Sequence, residues 1–137
     1  MRIVLDTNVF ISGIFFSGSR YQILKAWQDG KAQLVISREI LDEYQRVAEV
    51  LSEQFPGIDF ESILYLITSK SDLIVPQELS KKICDDPDDD KFLACAIAGK
   101  VKIIVSGDKH LLKVSGYSGV EVVRPRRFLD DYVKIAR

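Results

Sequence analysis

Four acidic residues, Asp6, Glu43, Asp89 and Asp108, with Asp86 beside the third, have the type and placement to do chemistry together. Carboxylates brought together without a cation repel, and their burial is costly, so their convergence implies a bound metal ion. Hard oxygen ligands select magnesium or manganese over zinc. One or two such ions activate a water, orient a phosphate and stabilise a leaving oxygen, which are the demands of phosphodiester hydrolysis. A zinc site is not supplied. Cys84 and Cys95 are too few and too far from the one histidine, His110, and they read as buried or idle thiols with no required disulfide.

Whether the acids meet depends on the elements that carry them. Asp6 and Asp108 each follow a short apolar run rich in β-branched residues, 2–5 and 102–105, as buried parallel strands require. Ligands of an open parallel sheet sit outside the carboxyl ends of its strands, so both acids face one crevice if the two strands are neighbours. Ser37 caps a helix on which Ile40, Leu41, Tyr44, Val47, Ala48 and Leu51 recur at helical spacing. Glu43 stands three residues after Ile40 and four before Val47, on the buried stripe, where an acid needs a partner. Glu39 and Asp42 lie off that line and read as solvated charges. The acidic run at 85–90 precedes a helix carrying Phe92, Leu93, Ala96 and Ile97. Asp89, four before Leu93 and seven before Ala96, faces inward from its start, and Asp90 points about a hundred degrees away.

The remaining pattern supplies the scaffold. Ser19 is expected to cap a helix through Trp27 that stops at Asp29-Gly30, and residues 33–36 form a strand. A helix from Asp59 carries Phe60, Ile63, Leu64 and Ile67, a strand covers 73–75, and Gly99 allows the helix after the acidic run to stop. A short helix at 109–114, a strand at 120–123 and a terminal helix from near Arg127 complete the chain. Strands alternating with helices predict a three-layer α/β/α sandwich around a parallel sheet, as one domain over 1–137. A 137-residue chain that is 47% hydrophobic fills one core of that kind. It has no apolar run near the ~20 residues that span a bilayer, and the opening MRIVLDTNVF reaches an Asp too early for a signal peptide, so a soluble cytoplasmic protein is expected. The net charge of -1 lacks the basic field of proteins that coat nucleic acid. Acids gathered at a metal site, with basic residues at its rim, reconcile that balance with a phosphate substrate.

Each acid also has a plainer reading. Asp6 starts an Asx turn, residues 88–90 cap a helix, Asp108 serves the turn after Gly107, and Glu43 pairs with a core Arg or Tyr. The conjunction points further than any one member.

The stretches Val4-Leu5-Asp6-Thr7-Asn8-Val9, Glu43 on the helix after Ser37, Asp86-Pro87-Asp88-Asp89-Asp90-Lys91-Phe92-Leu93 and Ile104-Val105-Ser106-Gly107-Asp108 resemble the PIN domain, in order, from residue 3 to about residue 129. The branch most similar is the toxin component of prokaryotic toxin-antitoxin pairs. The resemblance implies an α/β/α fold related to flap endonucleases and a magnesium- or manganese-dependent endoribonuclease acting on single-stranded RNA. It places the family's first Asp on Asp6, its central Glu on Glu43, its third acid on Asp89 and its last Asp on Asp108. Asp86 and Asp90 compete for the third position. Asn8 and Ser106 match the polar positions that support the first and last acids, with Ser106 where the family often has Thr. A homodimer and a small antitoxin covering the acidic groove are further implications.

Lys109, Arg124, Arg126 and Arg127 are candidate phosphate contacts, and His110 reads as a surface residue rather than a general base. The apolar stretch Phe10, Ile11, Ile14, Phe15 and Phe16 reads as core, with a partner surface as the alternative. Two other functions compete. An aspartyl-phosphate phosphatase acting on a small molecule needs a second acid where Asn8 stands. A catalytically silent acid-lined binding module fits the acids without hydrolysis. A Gly-rich phosphate cradle is absent from the sequence.

Overall fold

The computed structural model describes residues 1–15 and 18–133. Five strands, β1 (Arg2–Leu5), β2 (Gln33–Ser37), β3 (Asp72–Ile74), β4 (Ile103–Val105) and β5 (Glu121–Val123), form one sheet in the order β3-β2-β1-β4-β5. Every pairing is parallel. The chain works outward from β1 to β3, then returns to the other side of β1 as β4. β1 and β4 therefore flank the point where the strand order reverses, and crevices for ligands open at such points. Their register aligns Val4 with Ile104 and Leu5 with Val105. The residues that follow, Asp6 and Ser106, consequently emerge side by side.

Helices α1 (Thr7–Phe15), α2 (Ser19–Gln28), α3 (Arg38–Gln54), α4 (Phe60–Lys70), α5 (Asp90–Ala98), α6 (Lys109–Leu112) and α7 (Pro125–Phe128) connect and cover the strands. Ile3, Leu5, Leu34, Ile36 and Ile104 are fully buried and make the centre of the core. Two caps act as their residue types predict: Ser37 accepts from the Ile40 amide at 3.3 Å, and Asp59 from the Ser62 amide at 3.1 Å.

The structure corrects several expectations. The Asx turn at Asp6 does not stand alone, because α1 begins at Thr7, with Asp6 as the one residue between it and β1. Ser19 lies inside α2, and Gly18 occupies the cap position without a side chain to offer. The helix after the acidic run does stop at Gly99, the C-cap of α5, and the left-handed residue that follows it is Lys100, with φ 56°. The last helix starts at Pro125, two residues before Arg127, where the fixed proline φ suits a first helical position. Phe10 and Ile11 are buried in the core as expected. Phe16 and the side chain of Phe15 lie outside the described residues.

Candidate active site

Asp6 is only 4% exposed, and each of its carboxylate oxygens is committed. Oδ1 accepts from the Val9 amide at 2.8 Å, which caps α1, and Oδ2 accepts from the Ser106 hydroxyl. The plain Asx reading of Asp6 is thus realised together with burial at the switch point. Ser106 is fully buried and joins two acids, since its Oγ also accepts from the Asp108 amide at 2.9 Å. Asp108 caps α6 by accepting from the His110 amide at 2.7 Å. Asn8, expected to support the first acid, is exposed and makes no hydrogen bond to Asp6, whose supports are the Val9 amide and Ser106. The α1 turn directs the Asn8 side chain outward.

The acidic run divides its members between different tasks. Residues 87–89 form a single 3-10 turn before α5. Asp86 caps it, accepting from the Asp88 amide at 3.0 Å. Asp90 turns away from the crevice and accepts from the Ile83 and Cys84 amides at 3.0 and 2.7 Å. Asp88 is exposed. Asp89 has a buried Oδ2 with no hydrogen-bond partner in the protein. Burial pushes the Asp89 carboxyl up to about 6, and the charges of Asp108, Asp86 and Asp6 add to that rise. Asp6 is raised chiefly by burial and further by Asp108, against the lowering hydrogen bonds of Ser106 and Val9. These mutual effects bring Asp6, Asp89 and Asp108 into one electrostatic cluster.

Glu43 is held differently. Its Oε1 meets the Lys91 ammonium at 2.5 Å, and its Oε2 accepts from the Thr7 hydroxyl. The side chains of Lys91 and Glu43 are only 17% and 20% exposed, so the pair is largely shielded from solvent. Next to Glu43, Tyr44 is fully buried, stacks on Phe10 at 4.3 Å between centroids, and donates to the Leu5 carbonyl at 2.6 Å. That bond ties α3 to the end of β1 and so sets Glu43 beside Thr7.

Thr7, Lys91 and Arg20 escaped the sequence reading. Arg20 lowers Asp6, and a Cβ built on Gly107 would lie 3.4 Å from its guanidinium. It reaches that position because α1 and α2 cross closely at Gly13, where a Cβ would come within 2.7 Å of Leu24 and 2.8 Å of the Arg20 carbonyl. Nothing in local spacing announces such a crossing. Thr7 and Lys91 do carry a signal, since each directly follows an acid of a candidate motif.

Lys109, Arg124 and Arg126 are exposed, and Arg127 is engaged by Asp131 at 3.1 Å. Arg124 follows β5, at the same end of the sheet as Asp6 and Asp108. His110 lies 3.8 Å from Asp85, which Lys113 also holds at 3.2 Å. Cys84 and Cys95 are free and buried, and burial pushes each thiol up to about 12. Neither is a reactive thiolate.

Oxygen donors, mutual repulsion and the orphaned oxygen of Asp89 all suit a hard divalent cation. Among the described residues, no three His, Cys, Asp or Glu side chains already stand at ligating spacing. A cation would have to draw the aspartates inward.

Comparison with known proteins places this geometry in a family. The chain is 28% identical over 148 residues to the uncharacterized protein MJ1680 of Methanocaldococcus jannaschii, covering 98% of this chain and 93% of that protein. Its fold is similar to a chain in the crystal structure of VapBC2 from Rickettsia felis bound to a DNA fragment from their promoter. That match has a TM-score of 0.57 and 17% identity, over 90% of this chain and 98% of the other. The family description "PIN domain" matches residues 2–110, a span that takes in β1 to β4 and all four candidate acids, and the chain therefore belongs to the PIN domain family.

Proposed function

We propose that this chain is a metal-dependent endoribonuclease that hydrolyses phosphodiester bonds of single-stranded RNA, and that it is the toxin of a toxin-antitoxin pair. PIN domains are generally nucleases and typically use divalent metals. What supports the reading is that Asp6 and Asp108 follow the adjacent strands β1 and β4, that their charges raise the Asp89 carboxyl, and that a buried Asp89 oxygen has no protein partner.

Asp6, Asp89 and Asp108 would hold magnesium or manganese, with Asp86 at the edge of the set. When bound, the ion supplies an activated water and charge neutralisation at the phosphodiester. Ser106 fixes the relative placement of Asp6 and Asp108, since its hydroxyl bonds the carboxylate of one and the amide of the other. The Val9 amide holds Asp6 as well. Lys109 and Arg124, exposed at the same end of the sheet, are proposed to receive flanking phosphates, and Arg126 and Arg127 to extend that rim.

A toxin of this kind is expected to dimerise and to be silenced by a small protein that covers the acids. Among the described residues no helix is long and apolar enough to cross a membrane. A cytoplasmic setting is part of the proposal.

The direct test is cleavage of single-stranded RNA by purified protein with added manganese or magnesium. Activity should appear with the metal and stop on chelation. Undiminished cleavage in excess chelator would refute the metal mechanism, and no cleavage of any single-stranded RNA with either metal would refute the nuclease reading.

A further inference from the structure

The shielded pair of Glu43 and Lys91 is not explained by a set of carboxylates waiting for a cation. Both oxygens of Glu43 already have donors, the Lys91 ammonium at 2.5 Å and the Thr7 hydroxyl. Displacing that ammonium for a metal ion would leave a largely buried cation without its counter-charge, a costly exchange. Asp89 differs in this respect, for its Oδ2 has no donor at all. Asp6 also has a donor on each oxygen, the Val9 amide and the Ser106 hydroxyl, but among the described residues Glu43 alone of the four acids is in an ion pair, so the four do not form one equivalent ligand set.

Lys91 also has a second exposure. It lines a cleft of about 420 Å³ between α5 and the segment after β3, together with Glu39, Pro76, Lys81, Lys82 and Asp90. Three lysines and three acids, Glu39, Glu78 and Asp90, line this channel, which extends to Pro87, two residues before Asp89. An ammonium fixed between a carboxylate and such a channel is a preset contact for a phosphate.

We infer that Lys91, positioned by Glu43, binds a backbone phosphate of a single-stranded nucleic acid whose chain leaves the aspartate cluster along the Lys81/Lys82 cleft. The inference rests on the nuclease reading above. It makes Lys91 a substrate-binding residue and Glu43 a positioning residue, not a metal ligand. Thr7 donates to the second Glu43 oxygen, which helps to keep the carboxylate in place beside Lys91.

The test separates metal binding from nucleic-acid binding. Manganese affinity of the full chain is measured by calorimetry for wild type, Glu43→Gln, Lys91→Gln and Lys91→Arg. Affinity for a fluorescein-labelled, 2′-O-methylated single-stranded RNA, which resists cleavage, is measured by polarisation across a salt series. Glu43→Gln should keep manganese affinity within about twofold while weakening RNA binding about tenfold, the effect of removing one charge-assisted hydrogen bond. Lys91→Gln should do the same and reduce the slope of log K against log salt by about 0.7, the value for one phosphate on a single strand. The double variant should be no weaker than either single one, and Lys91→Arg, which keeps the charge, should retain most of the affinity. A purely structural role would leave the salt slope unchanged. A tenfold or greater loss of manganese affinity in Glu43→Gln overturns the inference, as does an unaltered salt slope in Lys91→Gln. Absence of RNA binding by the wild type would overturn the nuclease reading and this inference together, whereas wild-type binding that is indifferent to both variants overturns this inference alone.

Discussion

Asp6 and Asp108 each sit where backbone chemistry and charge chemistry overlap. Asp6 caps α1 and Asp108 caps α6, so their placement is fixed by bonds that would exist in any protein with these turns. What separates them from ordinary caps is what else they face. The Asp89 carboxyl, pushed up from 3.8 to about 6 by burial and by three neighbouring acids, is penalised for ionising in the cation-free fold. A pKa raised on folding contributes stability that is fully present below the unfolded value and is lost as pH rises through the folded one. In Asp89→Asn the penalty is absent. The variant should therefore match wild type near pH 3.5 and become the more stable between pH 4 and 6, by about 1 kcal/mol after allowance for solvent screening. Asp6→Asn should move in the same direction, since burial also raises Asp6. Thermal melts in chelator across that pH range read the effect, and a variant less stable than wild type at pH 7 would mark these carboxylates as structural.

At the scale of elements, the strand ends and the α5 face were legible because their signals are local. An apolar β-branched run that stops at an Asp predicts a buried strand end, and the pairing of β1 with β4 puts Asp6 beside Ser106. The spacing of Asp89 to Leu93 and Ala96 selected the acid whose carboxyl feels Asp108 and Asp6. Asp90, one residue on, is fully engaged by the 83–84 amides. The start of α1 at Thr7, and the approach of Arg20 to Gly107, were not legible. The first replaces an expected turn with a helix that shares its polar residues, and the second depends on a helix crossing that local periodicity does not encode. Single Asn substitutions across the run should divide accordingly. Asp89→Asn should lose manganese-dependent cleavage most severely, Asp86→Asn next, and Asp88→Asn least. Asp90→Asn should retain cleavage per folded molecule but lower the melting temperature, because an amide oxygen alone cannot accept both backbone donors as the carboxylate does, at a cost of about 1 kcal/mol. Loss of cleavage in folded Asp90→Asn with Asp89→Asn near wild type would shift the assigned register by one residue.

At the scale of the whole molecule, the sheet order separates what holds the protein together from what the acids do. The core is apolar on both faces of the sheet, whereas the acids gather at one end of two adjacent strands. Bringing Asp6 from the N-terminal strand, Asp89 from before α5 and Asp108 from after β4 to one place requires the complete fold, so an ion that binds them binds only the native state. Ligand binding to the native state alone raises stability by about 2.7 kcal/mol at a hundredfold excess over Kd, or roughly 10 °C for a chain of this size. Protons compete for the same oxygens. With Asp89 titrating at about 6 in the cation-free fold, the rise in melting temperature on adding manganese should be clearly larger at pH 7.5 than at pH 5. Asp6→Asn should flatten the response at both pH values, even though it begins from a higher melting temperature at pH 7.5. A wild-type melting temperature indifferent to manganese at pH 7.5, or an Asp6→Asn response equal to that of wild type, would mean that the acids meet for some purpose other than holding a cation.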